Sequence, residues 1–185
     1  MLPIIQAPQP VLGTQAKPVG KIDKDVKHLI EEMTDSLLHA KDPEGVGLAA
    51  PQVGKSLQLF IVKESKKDPL LVFINPKMTV PKGVDLPANL SDDDENHEVK
   101  LEGCLSLQDI WGIVNRYPEV DLEYLDENGK KLTKRFDGFM ATIIQHEYDH
   151  LQGILFPRRV LEQKGQLYKS VKNKKGEVEF EELKV

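Results

Sequence analysis

Cysteine is almost absent: Cys104 is the only one in 185 residues, so no internal disulfide can form. A reducing compartment, the cytoplasm, is the simple expectation, and the thiol is then free, buried or bound to something. Long hydrophobic runs are also missing. No stretch approaches the roughly 20 apolar residues that span a bilayer, so no membrane partner is expected. The N-terminus, "MLPIIQAPQPVLG", has no basic region ahead of an apolar run, and three prolines interrupt it. It reads as neither a secretory signal nor an amphipathic transit peptide, although an organellar protein with its presequence removed would look the same. Positive charge is not in excess, with 25 Lys+Arg against 30 Asp+Glu and a formal net charge of −5. That balance argues against a nucleic-acid or anionic-membrane binder using its whole surface, although it leaves room for a local basic patch, and no direct sequence-specific nucleic-acid binding is expected. There is no internal repeat and no dividing linker, and the length fits one domain covering residues 1–185.

The chain does contain clear helix and strand patterns. Asp23 is placed to cap an amphipathic helix running to about Ala40. Along it Val26, Leu29, Ile30, Met33 and Leu37 fall on one face of a 3.6-residue period, and Asp42-Pro43 ends it. His28 and His39 on this element read as surface or boundary residues. "SLQLFIV" (56–62) and "LLVFIN" (70–75) are short, apolar and partly β-branched, hence strands. Residues 81–100 turn polar. The run Asp92–Glu95 lacks the ligand spacing and turn glycine of a calcium loop and reads as solvated, as does His97. "EVDLEYL" and "KLTKRF" flank the hairpin signal Asn128-Gly129. Asp137 then caps a second helix to about Leu151, and a charged C-terminal segment (158–185) follows as helix or tail.

The second helix carries chemistry. In "QHEYDHLQGILF" (145–156), His146 and His150 are four residues apart, about 40° on the helix surface. Phe139 and Ile143 share their stripe, which points the imidazoles inward. Two nitrogens on adjacent turns can converge on one cation, while Glu147, about a quarter-turn round, misses the metal and reaches a water beside it. A hydrogen-bonded histidine pair is the plainer alternative.

Two histidines need a third ligand, and that ligand decides the class. A zinc protease of the metzincin type has a third histidine where this chain has Phe156, which cannot ligate. A downstream glutamate ligand would have to come from Glu162 or from 177–182, in charged sequence near the chain end. The protease reading weakens accordingly. Upstream, "LEGCLSL" (101–107) sets Cys104 in a short, otherwise apolar segment. A thiolate would suit a metal, although a free cysteine is more commonly a small buried hydrophobe.

"GVGLAAPQVG" (45–54) lacks the third glycine and the preceding strand of a dinucleotide site. Its small residues suit close backbone approach to another chain, and Gln52 offers an amide to a substrate carbonyl. Taken in order, "GVGLAAPQVG", "EGCLSL" and "QHEYDHLQGILF" closely resemble the three signature motifs of the peptide deformylases, a likeness spanning roughly residues 4–157.

That resemblance implies an α+β fold of mostly antiparallel sheets around the His-Glu-x-x-His helix. It implies hydrolysis of the N-formyl group from the initiator methionine of nascent polypeptides, releasing formate. It implies a divalent ion held by Cys104, His146 and His150, usually iron(II), with zinc, nickel or cobalt able to substitute. Glu147 would be the base, and the Gln52 amide and Leu105 N–H the oxyanion donors. The peptide would lie extended along Val46, Gly47 and Gly103, with its methionine side chain near Val46, Phe139, Thr142 and Ile143. Arg116 would support the site or the substrate, or form a surface ion pair. Asp149 would orient a ligand histidine or face solvent, and Trp111 would pack at a pocket edge or in the core. The charged C-terminal segment is a candidate for docking on the ribosome. Where the family commonly has an aliphatic residue and then Pro-Gly, this chain has Leu107-Gln108-Asp109, which leaves the loop shape and nearby substrate surface open. A non-catalytic relative that binds formylated N-termini is the main alternative, but a structural metal site needs neither Glu147 nor Gln52.

Overall fold

The computed structural model describes residues 1–41, 44–87, 101–173 and 175–184. Asp42-Pro43, Asp92–Glu95, His97 and most of the polar 81–100 stretch lie outside the described residues. Helix α1 runs Lys24–His39, and the Asp23 side chain accepts from the Asp25 and Val26 backbone N–H groups, satisfying two of its orphan donors. Its apolar stripe, Val26, Leu29, Ile30, Met33 and Leu37, is buried against the first sheet.

That sheet is antiparallel, in the order β1 (Gly47–Ala49), β2 (Leu59–Val62), β3 (Leu71–Thr79), β6 (Glu119–Leu125), β7 (Lys131–Asp137). All four residues of β2 are buried, so this strand reads as a continuous apolar run rather than an alternation. By contrast β6 alternates buried and half-buried residues, consistent with one face on the core. The second sheet takes the order β4 (Glu102–Cys104), β5 (Leu107–Gly112), β8 (Leu167–Lys172), β9 (Val178–Leu183), again antiparallel. The C-terminal segment expected as helix or tail is thus a short helix, α3 (Phe156–Glu162), followed by the β8–β9 hairpin. The departure Leu107-Gln108-Asp109 forms the start of β5, with Asp109 at φ 61°.

Helix α2 (Gly138–Leu151) packs against β1, β2 and β7. Asp137 occupies its N-cap position but makes no side-chain capping bond, so the expected cap is positional only. The helix ends at a backbone crossing that accounts for Gly153. That residue sits at φ 69°, and a Cβ there would stand 2.7 Å from the Gly13 carbonyl carbon and 2.8 Å from Thr14 backbone atoms. Both the left-handed conformation and the close approach call for glycine. Among the described residues no helix is long and apolar enough to cross a membrane.

Candidate active site

Helix α2 is buried nearly all round, including the polar Gln145, Glu147, Asp149 and His150. Burying such groups costs free energy unless each finds a partner. Most do. Gln145 clamps the segment before β6, donating to the Tyr117 carbonyl and accepting from its N–H. Asp149 accepts from Arg116 at 2.6 Å and from Arg159 at 2.7 Å. Its partners are arginines, not a ligand histidine, and it does not face solvent. Among the described residues the atoms left over are Glu147 Oε2, His150 Nδ1 and the Trp111 indole nitrogen, of which the first two lie on this helix.

Cys104 Sγ lies 3.3 Å from His150 Nε2, which lies 3.2 Å from His146 Nε2, and one donor atom from each residue falls within 4.8 Å of the others. Three donors bound at about 2.0–2.3 Å in a tetrahedron stand roughly 3.4–3.8 Å apart. The cluster therefore needs little movement to close on one ion. The tautomer agrees. His146 Nδ1 lies 2.7 Å from Glu102 Oε1, and donating there leaves its Nε2 lone pair for a cation. Phe156, where a metzincin would have its last histidine, is buried with its ring stacked 6.3 Å from His146.

Glu102 is the residue that motif reading missed. Arg116 grips it with two bonds of 3.0 and 2.7 Å, so Arg159, Asp149, Arg116, Glu102 and His146 form one continuous charged chain. Of the roles open to Arg116, this geometry supports the one behind His146, through Glu102. Its side chain is only 7% exposed and fully engaged by carboxylates. Burial alone would raise the Glu102 pKa, but the charges of Arg116 and His146 hold it down to about 2. At His146 burial disfavours the imidazolium, yet Glu102 and Cys104 outweigh it and push the pKa well up, so a cation binding at Nε2 must displace a proton from it. His150 is pushed down by burial and then by His146. A strand signal could have exposed Glu102: residues i and i+2 share a face, which puts it beside Cys104. Glu102→Gln should weaken metal binding by about 10- to 100-fold in chelator competition, and an unchanged affinity would remove Glu102 from this role.

A cleft of about 640 Å³ opens over the cluster. Val46, Gly47, Gln52, Gly103, Cys104, Leu105, Arg116, Phe139, Thr142, Ile143, His146 and Glu147 all line it. Phe139 is 47% exposed because the first turn of α2 lies at the cleft mouth, so only Ile143 of that pair is carried into the core. Glu147 lies directly under Gly47, where a Cβ would stand 2.8 Å from its Cδ. Burial pushes its carboxyl up to about 7. Gln52 Oε1 accepts from the Ala49 N–H at 2.8 Å, which fixes the amide and turns Nε2 toward Cys104 Sγ (3.6 Å) and Ser106 Oγ (3.3 Å). The N-terminal segment staples these two motifs together. Ile5 N–H donates to Gln52 O, Ala7 N–H to Ser106 O, and Gln6 Nε2 to Leu105 O.

Comparison with known proteins places this geometry. A sequence model described as polypeptide deformylase matches residues 1–166. The peptide deformylase of Psychrobacter cryohalolentis is 40% identical over 157 residues, covering 84% of this chain and 77% of the relative. That of Christiangramia forsetii is 36% identical over 185 residues, covering 92% and 87%. Among solved structures, a Synechococcus elongatus peptide deformylase in complex with actinonin superposes with a TM-score of 0.73 at 37% identity, covering 88% of this chain and 82% of that one. The Thermotoga maritima peptide deformylase gives 0.71 at 34% identity, covering 86% and 97%. The match begins at the first residue and runs past both histidines into the turn before β8, and the chain belongs to the polypeptide deformylase family, metal-dependent hydrolases that remove the formyl group from an N-terminal methionine.

Proposed function

We propose that this chain deformylates nascent peptides at the cleft over Cys104, His146 and His150, with iron(II) as the resident ion. Zinc, nickel or cobalt would suit the same thiolate and imidazole donors. When bound, such an ion supplies Lewis acidity and lowers the pKa of water toward neutrality. Everything else falls to the chain's own residues. Glu147 accepts the proton of the attacking water and returns it to the leaving amine. Its unpartnered Oε2 and a pKa near 7 suit both transfers at neutral pH. The Gln52 amide and the Leu105 N–H stabilise the oxyanion that develops on the formyl oxygen.

The observation that carries this reading is the Glu147 carboxylate. It is buried, its Oε2 has no hydrogen-bond partner among the described residues, and it lies beside a cluster of three candidate ligands at the floor of a cleft. Substrate geometry adds support. β1 and β4 are the edge strands of their sheets, and both line the cleft. An extended peptide can therefore pair along Val46–Gly47 or Gly103, with its methionine side chain against Val46, Phe139, Thr142 and Ile143.

Residues 1–185 act as one metallohydrolase domain in this reading, because β8 pairs with β5 and joins the C-terminal segment to the site's own sheet. The single, buried Cys104 fits a reducing cytoplasm. Nascent chains are met at the ribosome, and the exposed, charged β8–β9 hairpin is the segment proposed to dock there. Protein purified without oxygen and loaded with iron should release formate from a formyl-methionyl peptide. No release with iron, nickel or cobalt bound would sink the assignment.

A further inference from the structure

The family match stops at residue 166, one residue before β8 begins, so the β8–β9 hairpin lies outside it. The hairpin nevertheless touches a residue that lines the cleft, Trp111. In register, Gly103 of β4 faces Trp111 of β5, and Trp111 faces Tyr168 of β8. Phe180 of β9, opposite Ser170, leans over β8 and meets the Trp111 indole edge-on at 5.8 Å and 80°. On its other side the indole lies over Gly103, where a Cβ would stand 2.7 Å from its Cζ3. No hydrogen bond pins the indole nitrogen among the described residues. Packing against Gly103 and Phe180 therefore sets the ring's place.

We propose that Trp111, positioned by Phe180, is the wall of the cleft that contacts the substrate side chain following the formyl-methionine and favours a large apolar residue there. This rests on the deformylation reading above. Trp111 lines the cleft on the β4 side, whereas Phe139, Thr142 and Ile143 line it from α2. A peptide paired along Gly103 with its methionine against α2 would present its next side chain to the indole, since successive residues of a strand point to opposite faces. Aromatic contact rewards apolar area, and an apolar pocket discriminates by about tenfold or more per added methylene.

The test compares kcat and KM for formyl-Met-Leu and formyl-Met-Gly peptides. Trp111→Ala should cut the Leu preference on the order of tenfold, through KM rather than kcat. Phe180→Ala should cut it by about threefold or more, with Phe180→Tyr restoring it. Glu181→Ala, on the opposite face of β9, should leave the preference intact. Trp111 is the only tryptophan, so its emission reports the wall directly. Adding formyl-Met-Leu to Glu147→Ala protein should shift that emission. Formate release with an unchanged preference in both variants and silent emission rejects the wall alone. Emission that responds in the Glu147→Ala protein while the metal-loaded parent protein releases no formate rejects the deformylase chemistry and retains the wall.

Discussion

Glu147→Ala protein should keep a full complement of metal while its turnover falls by about 10²–10⁴, the range expected when a positioned acid–base group is removed. The two outcomes separate because the carboxylate stands apart from the ligand cluster. Cys104, His146 and His150 bring their donor atoms within 4.8 Å of one another, and Glu147 is not among them. Its carboxylate lies instead against Gly47, with Oε2 buried and unpartnered among the described residues. Burial raises its pKa to about 7, which poises it to take and return one proton near neutral pH. Metal analysis beside a formate assay reads both quantities. Protein arriving metal-free would make Glu147 a ligand, and full turnover would move the base elsewhere.

Cys104→Ala should lose tight metal binding altogether, by more than the roughly 10- to 100-fold that follows loss of a supporting residue. Cys104 is 3% exposed and its sulfur is 3.3 Å from His150 Nε2, and alanine offers no donor atom in its place. Two imidazoles would remain, held by one helix turn and by Glu102. Since metal bound only to the folded chain adds to its stability, the variant's melting temperature should stop responding to added metal. An unchanged metal stoichiometry would reject Cys104 as the third ligand.

Much of the site was visible in local patterns. The His146–Glu147–His150 spacing follows from the pitch of a helix, and Asp23 and the α1 stripe from capping and periodicity. The elimination of Phe156 as a ligand also needed only its side-chain chemistry. Its actual place, buried and stacked beside His146, did not follow from that chemistry. Phe139 shows the limit of periodicity. It sits on the stripe of Ile143, but its exposure depends on where α2 leaves the core. The β9 stretch has a legible alternation, Val178 and Phe180 between glutamates, which its high charge masks.

By itself, then, the sequence determined the helical spacing of His146, Glu147 and His150 and, through three ordered motifs, the resemblance to one family. Those features depend on backbone geometry over a few residues. Only the tertiary structure decided what meets across the chain. Glu102 comes to His146 from 44 residues away, and Arg116 closes on Asp149 from 33. Phe180 reaches Trp111 only because β8 lies between their strands. Such contacts are set by the pairing of edges and the burial of charges that must find partners. Local spacing can put Glu102 on the face of Cys104, but it does not encode which partner meets it across the chain.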